Sequence, residues 1–148
     1  MGIEIERKFL VKGEFIHLAV KKISIKQAYF CIDSDRIIRL RITDGKGLLT
    51  FKSRPIKNSF TRNEWEFTIP FNEAEEMFEI CLPGMIDKTR YIVPFENHIF
   101  EVDVFHGKRE GLIVAELELT SETEDFEKPD WLGEEVTGNP GYYNSSLI

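Results

Sequence analysis

The sequence has little cysteine. Its two thiols, Cys31 and Cys81, stand far apart and form no C-x-x-C motif. Both lie in apolar surroundings, which points to buried free thiols rather than a disulfide or a thiolate metal site. Long apolar runs are missing too. None approaches the roughly 18 residues of a membrane helix, and the N-terminus lacks the apolar stretch of a signal peptide. A cytoplasmic protein without a membrane partner is therefore expected. There is no basic excess: 19 Lys and Arg face 26 Asp and Glu, for a net charge of −7. That argues against a general nucleic-acid or anionic-membrane binder, but leaves room for an anion held by a local cluster of Arg and Lys. The three histidines, His17, His98 and His106, show no metal-ligand spacing and read as surface or turn residues. Repeats, low-complexity tracts and linkers are absent, so the chain reads as one domain over 1–148.

What the sequence does have is paired like charges at spacing two. They are Glu4 and Glu6, Arg39 and Arg41, Glu64 and Glu66, Lys88 and Arg90, Glu101 and Asp103, and Glu116 and Glu118. Each pair sits in an apolar, β-branched or aromatic run. In a strand, such pairs share one face. Like charges on one face repel, so a sheet that gathers them needs something of opposite sign between them.

The remaining pattern gives the elements. Strands are expected over 3–10, 24–32, 36–43, 48–53, 61–69, 87–93, 98–105 and 112–119. Asp44-Gly45-Lys46-Gly47 is a hairpin signal, Glu96-Asn97 a turn, and 54–60 a polar loop. Helical spacing predicts a short helix or helical turn over 12–21. Another is predicted over 72–81, with Asn72 as N-cap and Glu75 completing a capping box. The tail over 122–132 is expected to be partly helical.

Eight strands with short turns, each with one charged face, suit a closed antiparallel β-barrel with a few flanking helices, an α+β protein that is mainly β. An open sheet with its charges in water is the alternative. The barrel is favoured because the other face, with Phe9, Phe51, Trp65, Phe67, Phe100, Val102 and Val104, is too apolar to leave wet. Helices 72–81 and the tail would cover it. The charged face would then line the interior. Its acids are Glu4, Glu6, Glu64, Glu66, Glu101, Asp103, Glu116 and Glu118; its bases are Lys8, Arg39, Arg41, Lys52, Arg62, Lys88 and Arg90. Desolvating so many ions for structure alone costs several kcal/mol each. Carboxylates suit Mg²⁺ or Mn²⁺, and Arg and Lys suit phosphate oxygens. A metal-bound polyanion satisfies both sets.

Glu4-Ile5-Glu6-Arg7-Lys8 resembles the ExExK signature of the CYTH superfamily, the triphosphate tunnel metalloenzymes. The resemblance continues through Arg39-Leu40-Arg41, Leu49-Thr50-Phe51-Lys52, Arg62-x-Glu64-x-Glu66, Lys88-Thr89-Arg90-Tyr91, Glu101-Val102-Asp103 and Ala115-Glu116-Leu117-Glu118-Leu119. Trp131 to Thr137 and Tyr143-Asn144 resemble the small bacterial members. The resemblance implies an eight-stranded tunnel that hydrolyses a triphosphate, inorganic tripolyphosphate first, with Mg²⁺ or Mn²⁺. It implies a triphosphate clamp of Lys8, Arg39, Arg41, Lys52, Arg62, Lys88 and Arg90. It implies a metal site of Glu4, Glu6, Asp103, Glu116 and Glu118, and catalytic roles for Lys8, Glu64 and Glu66. Alternatives within the family are a class IV adenylyl cyclase and a thiamine triphosphatase; outside it, a non-catalytic polyphosphate or nucleotide sensor. The implied partner is a small-molecule triphosphate, and a homodimer is compatible with the chain. The tail departs from the family pattern: Asn139-Pro140-Gly141 stands where a basic residue is expected before Tyr143-Asn144. Tyr29 and Trp131 read as packing residues.

Overall fold

Alternation of charged and apolar side chains folds eight segments into one antiparallel sheet that closes on itself. The computed structural model describes residues 2–57 and 59–148. The strands are β1 (Gly2–Val11), β2 (Lys21–Ile32), β3 (Arg36–Thr43), β4 (Lys46–Ser53), β5 (Thr61–Ile69), β6 (Ile86–Phe95), β7 (His98–Phe105) and β8 (Ile113–Glu118). Their order is β5-β4-β3-β2-β6-β7-β8-β1, and β5 pairs with β1 to complete the ring. The closing register sets Glu4 opposite Arg62 and Gly2 opposite Glu64. A ninth strand, β9 (Leu132–Glu135), continues beside the second half of β1, with Phe9 opposite Glu135. An eight-stranded barrel has an interior that side chains fill or that holds one small ligand.

Turn chemistry fixes the register. Asp44 and Gly45 join β3 to β4 with φ of 49° and 72°, the left-handed pair that a two-residue hairpin loop needs. Thr43 then faces Lys46, and Arg39 faces Thr50.

The largest core cluster lies on the outer surface of the barrel. Phe9, Val93, Phe100, Val102, Ala115 and Leu117 form its floor, and Phe15, Leu119 and Trp131 lie over it. Phe15 and Phe100 both stack on Trp131, with ring centroids 6.0 and 5.3 Å away. Trp131 is thus the core anchor its sequence position suggests. A second cluster, Tyr29, Ile86, Phe105, Val114 and Leu147, draws on inward positions of β2, β6, β7 and β8. It makes one end of the barrel apolar.

Several expected elements take other forms. Residues 12–21 hold a 3-10 turn at Ile16–Leu18, the helical turn rather than the short helix of the two forms expected, before β2 begins. The helix expected over 72–81 is α1 (Phe71–Met77), followed by a 3-10 turn at Phe78–Ile80. Pro70, not Asn72, is its N-cap residue, so no side chain caps it. Proline presets the backbone for the first turn, and Asn72 falls inside. The tail over 122–132 contains no helix and leads into β9. The outer face is therefore covered by α1, which packs Ala74 over Gly47 of β4, and by two irregular segments, and the cover is incomplete: Trp65 is 37% and Phe67 55% exposed. Cys31 and Cys81 are free thiols but only half-buried. Position 58 of the expected 54–60 loop lies outside the described residues.

Candidate active site

Neighbouring strands bring the paired charges into one interior. On β1 and β8, Glu6 faces Glu118 and Lys8 faces Glu116. On β7, Glu101 faces Glu116, and on β6 Arg90 faces Asp103. Across the ring, Lys52 faces Glu64 and Thr50 faces Glu66. All fifteen expected charged residues are thus on inward positions of the closed sheet. A cavity of about 110 Å³ opens among Glu4, Glu6, Lys8, Arg39, Lys52 and Arg62, with Thr137, Tyr143 and Asn144 of the tail on its wall.

The cations divide by partner. Lys52 Nζ lies 2.7 Å from Glu4 and 3.6 Å from Glu64. Lys88 Nζ is 2.7 Å from Asp103, with both side chains fully buried. Arg90 grips Asp103 through Nε at 2.8 Å and Nη2 at 2.9 Å, and touches Glu101 at 3.1 Å. These three are committed to carboxylates. Lys8, Arg41 and Arg62, by contrast, form no ion pair among the described residues. Lys8 Nζ donates to the Tyr142 carbonyl at 3.1 Å. Arg41 donates twice to the Gln27 amide oxygen, at 3.0 and 2.7 Å. The Arg62 guanidinium lies 5.5 Å from the centre of the Tyr143 ring. Arg39 is intermediate: it donates to Thr50 Oγ1 at 3.2 Å and stands 3.7 Å from Glu66. Its Nε is buried with no protein acceptor, a donor lacking a partner.

The acids crowd one another where β1 lies beside β5 and β8. Burial pushes Glu4 up, but Lys52 and a hydrogen bond from Glu64 outweigh it and hold Glu4 at about 2. The same hydrogen bond, with burial, raises Glu64 to about 7. Burial, then Glu116 and Glu4, lift Glu6 well above the usual carboxylate range. Burial opposes ionisation of Glu116 as well, but Lys8, Arg90, Lys88 and a hydrogen bond from Glu6 hold it well below that range. Glu118 is raised by burial and by Glu4 and Glu101. Asp103 stays ionised because Arg90 and Lys88 overcome its burial. Burial drives Lys88 down to about 7 against the pull of Asp103; the 2.7 Å contact makes the two an ion pair.

Among the described residues, no three carboxylate, imidazole or thiolate groups already stand at the spacing of a formed metal site. The donor set nevertheless fits a hard cation. Glu4, Glu6, Glu116 and Glu118 lie on the adjacent strands β1 and β8, with Glu6 facing Glu118, and the crowding that lifts Glu6 and Glu118 is what a divalent cation would offset. Asp103 is different, because its oxygens are already taken by Lys88 and Arg90.

Alternation alone does not single out Gln27, Thr50 or Asn144 as site residues. Gln27 and Thr50 occupy inward positions on β2 and β4 and are fully buried. A neutral polar residue in an otherwise charged inward row was the available signal. Asn144 bridges the site from the tail, accepting from Lys88 at 3.3 Å and donating to Glu116 at 3.4 Å. No periodicity marks it. The tail thus reaches the site despite lacking the basic residue expected there. His98 pairs with Glu124, and His106 with Thr89, away from the charged interior.

Comparison with known proteins agrees with this geometry. A family model described as the CYTH domain matches residues 2–147. An inorganic triphosphatase of Acetivibrio thermocellus is 44% identical over 149 residues, covering 100% of this chain and 94% of the relative. An inorganic triphosphatase of Nitrosomonas europaea is 34% identical, covering 97% of this chain and 95% of the relative. A crystal structure of an inorganic triphosphatase superposes with a TM-score of 0.66 at 33% identity, covering 97% of this chain and 96% of that one. The chain belongs to the CYTH domain family.

Proposed function

We propose that this protein hydrolyses inorganic tripolyphosphate to pyrophosphate and phosphate inside the barrel, using Mg²⁺ or Mn²⁺. The observation that carries the reading is the division of the interior. Among the described residues Lys8, Arg39, Arg41 and Arg62 have no carboxylate closer than 3.7 Å, while Glu4, Glu6, Glu116 and Glu118 gather on the neighbouring strands β1 and β8. Two full-length relatives named inorganic triphosphatase support the substrate.

Lys8, Arg39 and Arg41 bind phosphate oxygens and offset charge on the transferring group. Arg62 adds a contact at the cavity wall. Glu4, Glu6, Glu116 and Glu118 would hold the metal. A divalent ion there would supply positive charge against the charge that develops on the phosphate. Glu64, beside Glu4 and 3.6 Å from Lys52 Nζ, accepts the proton of the attacking water. The water oxygen bonds the terminal phosphorus as the bridging P–O bond opposite breaks. Glu66, engaged by Thr50 at 2.9 Å, orients that water. Lys52, Lys88 and Arg90, with Asp103, brace the walls through ion pairs and assist the clamp from behind.

A cytoplasmic setting belongs to the same reading and is supported by the two free thiols. No helix among the described residues is long and apolar enough to cross a membrane. A homodimer is supported by the exposed Ile3, Trp65, Phe67 and Phe71.

The test is one assay series. Purified protein is given tripolyphosphate, ATP or thiamine triphosphate with Mg²⁺ or Mn²⁺, and phosphate, pyrophosphate and cyclic AMP are scored. Phosphate released from tripolyphosphate, and lost in Glu6→Gln and Glu118→Gln, is the expected result. Cyclic AMP from ATP, hydrolysis confined to thiamine triphosphate, or tight binding without turnover would each replace the proposal.

A further inference from the structure

We infer that Gln27 is a positioning residue of the anion clamp: a neutral acceptor that aims Arg41 while leaving its charge free for the substrate. The inference rests on the triphosphate reading above. Gln27 is fully buried on an inward position of β2, directly opposite Arg41 on β3. Its amide oxygen receives both Nε and Nη2 of Arg41. Its amide nitrogen donates to the Tyr29 hydroxyl at 2.9 Å. The orientation of the amide follows from chemistry, because a guanidinium only donates and so must meet the oxygen. Tyr29, itself buried, accepts from the other end and locks the amide in place. Arg41 is then held along one edge of its fork, with Nη1 and the second Nη2 hydrogen unused for an incoming phosphate oxygen.

Arg90 provides the internal contrast. It is held by the same kind of two-point contact, but from the Asp103 carboxylate. Both arginines are aimed, yet one is neutralised by its holder and the other is not. A glutamate at position 27 would hold Arg41 as well as glutamine does and would cancel its charge. The amide is thus the group that combines fixed direction with an unopposed cation.

The test measures KM and kcat for tripolyphosphate, and Kd by calorimetry, in wild type, Gln27→Glu, Gln27→Met and Tyr29→Phe, each also in an Arg41→Ala background. Melting temperatures are recorded to confirm folding. A hydrogen-bonded contact to a charged group corresponds to roughly a ten-fold change or more. Gln27→Glu and Gln27→Met should raise KM and Kd by about that factor, with kcat changed less. Tyr29→Phe should give a smaller rise in the same direction. In the Arg41→Ala background all three effects should vanish, because Gln27 acts only through Arg41. If the position 27 variants bind tripolyphosphate like wild type, or lose the same factor again without Arg41, the inference fails and the functional reading stands. If Gln27→Glu does not fold, Gln27→Met and Tyr29→Phe decide by the same criteria. A wild-type protein that neither binds nor hydrolyses tripolyphosphate overturns the functional reading, and the inference with it.

Discussion

A carboxyl group that keeps its proton near neutrality cannot bind a cation until the proton leaves. Two of the proposed ligands, Glu6 and Glu118, are raised, and a third, Glu4, is engaged by the proton of Glu64, which is raised to about 7. Divalent metal should therefore bind with release of protons, and its apparent affinity should climb as pH rises toward and through about 7. Titration calorimetry in two buffers of different ionisation heat measures that release; identical enthalpies in both would contradict it. The Lys88–Asp103–Arg90 cluster makes a separate claim. Removing one member of a buried ion pair strands the others, at a cost of roughly 3–5 kcal/mol. Asp103→Asn should lower the unfolding free energy by about that much, read from urea denaturation. At this scale the sequence revealed which side chains share a face, because alternation has a period of two. It did not reveal who pairs with whom. Lys52, Lys88 and Arg90 turn to carboxylates while Arg41 turns to an amide, and that depends on which strands become neighbours across the ring.

Hairpins and helices differ in how openly they are written. Asp44-Gly45 is legible because few residues tolerate the left-handed turn a tight hairpin needs. Helix α1 was placed almost correctly, but Asn72 gave a false cap because Pro70 already starts the turn. The packing of α1 on the barrel depends on Gly47: a Cβ there would stand 2.5 Å from Ala74 Cβ and 2.8 Å from Ile69 Cγ1. Gly47→Ala should destabilise the fold by about 1–3 kcal/mol through overpacking, seen as a lower denaturation midpoint. Between them the segments over 12–21 and 122–132, both expected to be helical at least in part, wind only the 3-10 turn at Ile16–Leu18, because their apolar residues are spaced to dock on the outer face of the barrel rather than to wind one stripe. The second segment is anchored by Glu124, which accepts from the Thr120 amide and hydroxyl and contacts His98. Those bonds, led by the Thr120 hydroxyl, lower Glu124 from 4.5 to about 2. A depressed carboxylate stabilises the fold above its unfolded pKa and loses that contribution as pH falls through the folded one. Glu124→Gln should therefore lower the melting temperature at pH 7. The gap to wild type should close as pH drops from about 4.5 to about 2.

Taken whole, the molecule is a ring of strands whose inner wall interleaves carboxylates and cations, with Glu4 facing Arg62, Lys8 facing Glu116 and Arg90 facing Asp103. The charge pairs at spacing two make that wall legible in the sequence. Closure itself follows from the pairing of β5 with β1. The family resemblance marks Trp131 to Thr137 and Tyr143-Asn144, but the strand form of the first and the contacts of Asn144 with Lys88 and Glu116 follow long-range docking rather than local pattern and are not legible. The central claim is that this wall receives a metal-bound triphosphate. The most direct measurement is a crystal structure of the protein soaked with tripolyphosphate and Mn²⁺, using anomalous scattering to locate the metal. The account predicts Mn²⁺ against Glu4, Glu6, Glu116 and Glu118, with phosphate oxygens on Lys8, Arg39 and Arg41. Metal and phosphate bound only outside the barrel, with the interior cations unchanged, would contradict it.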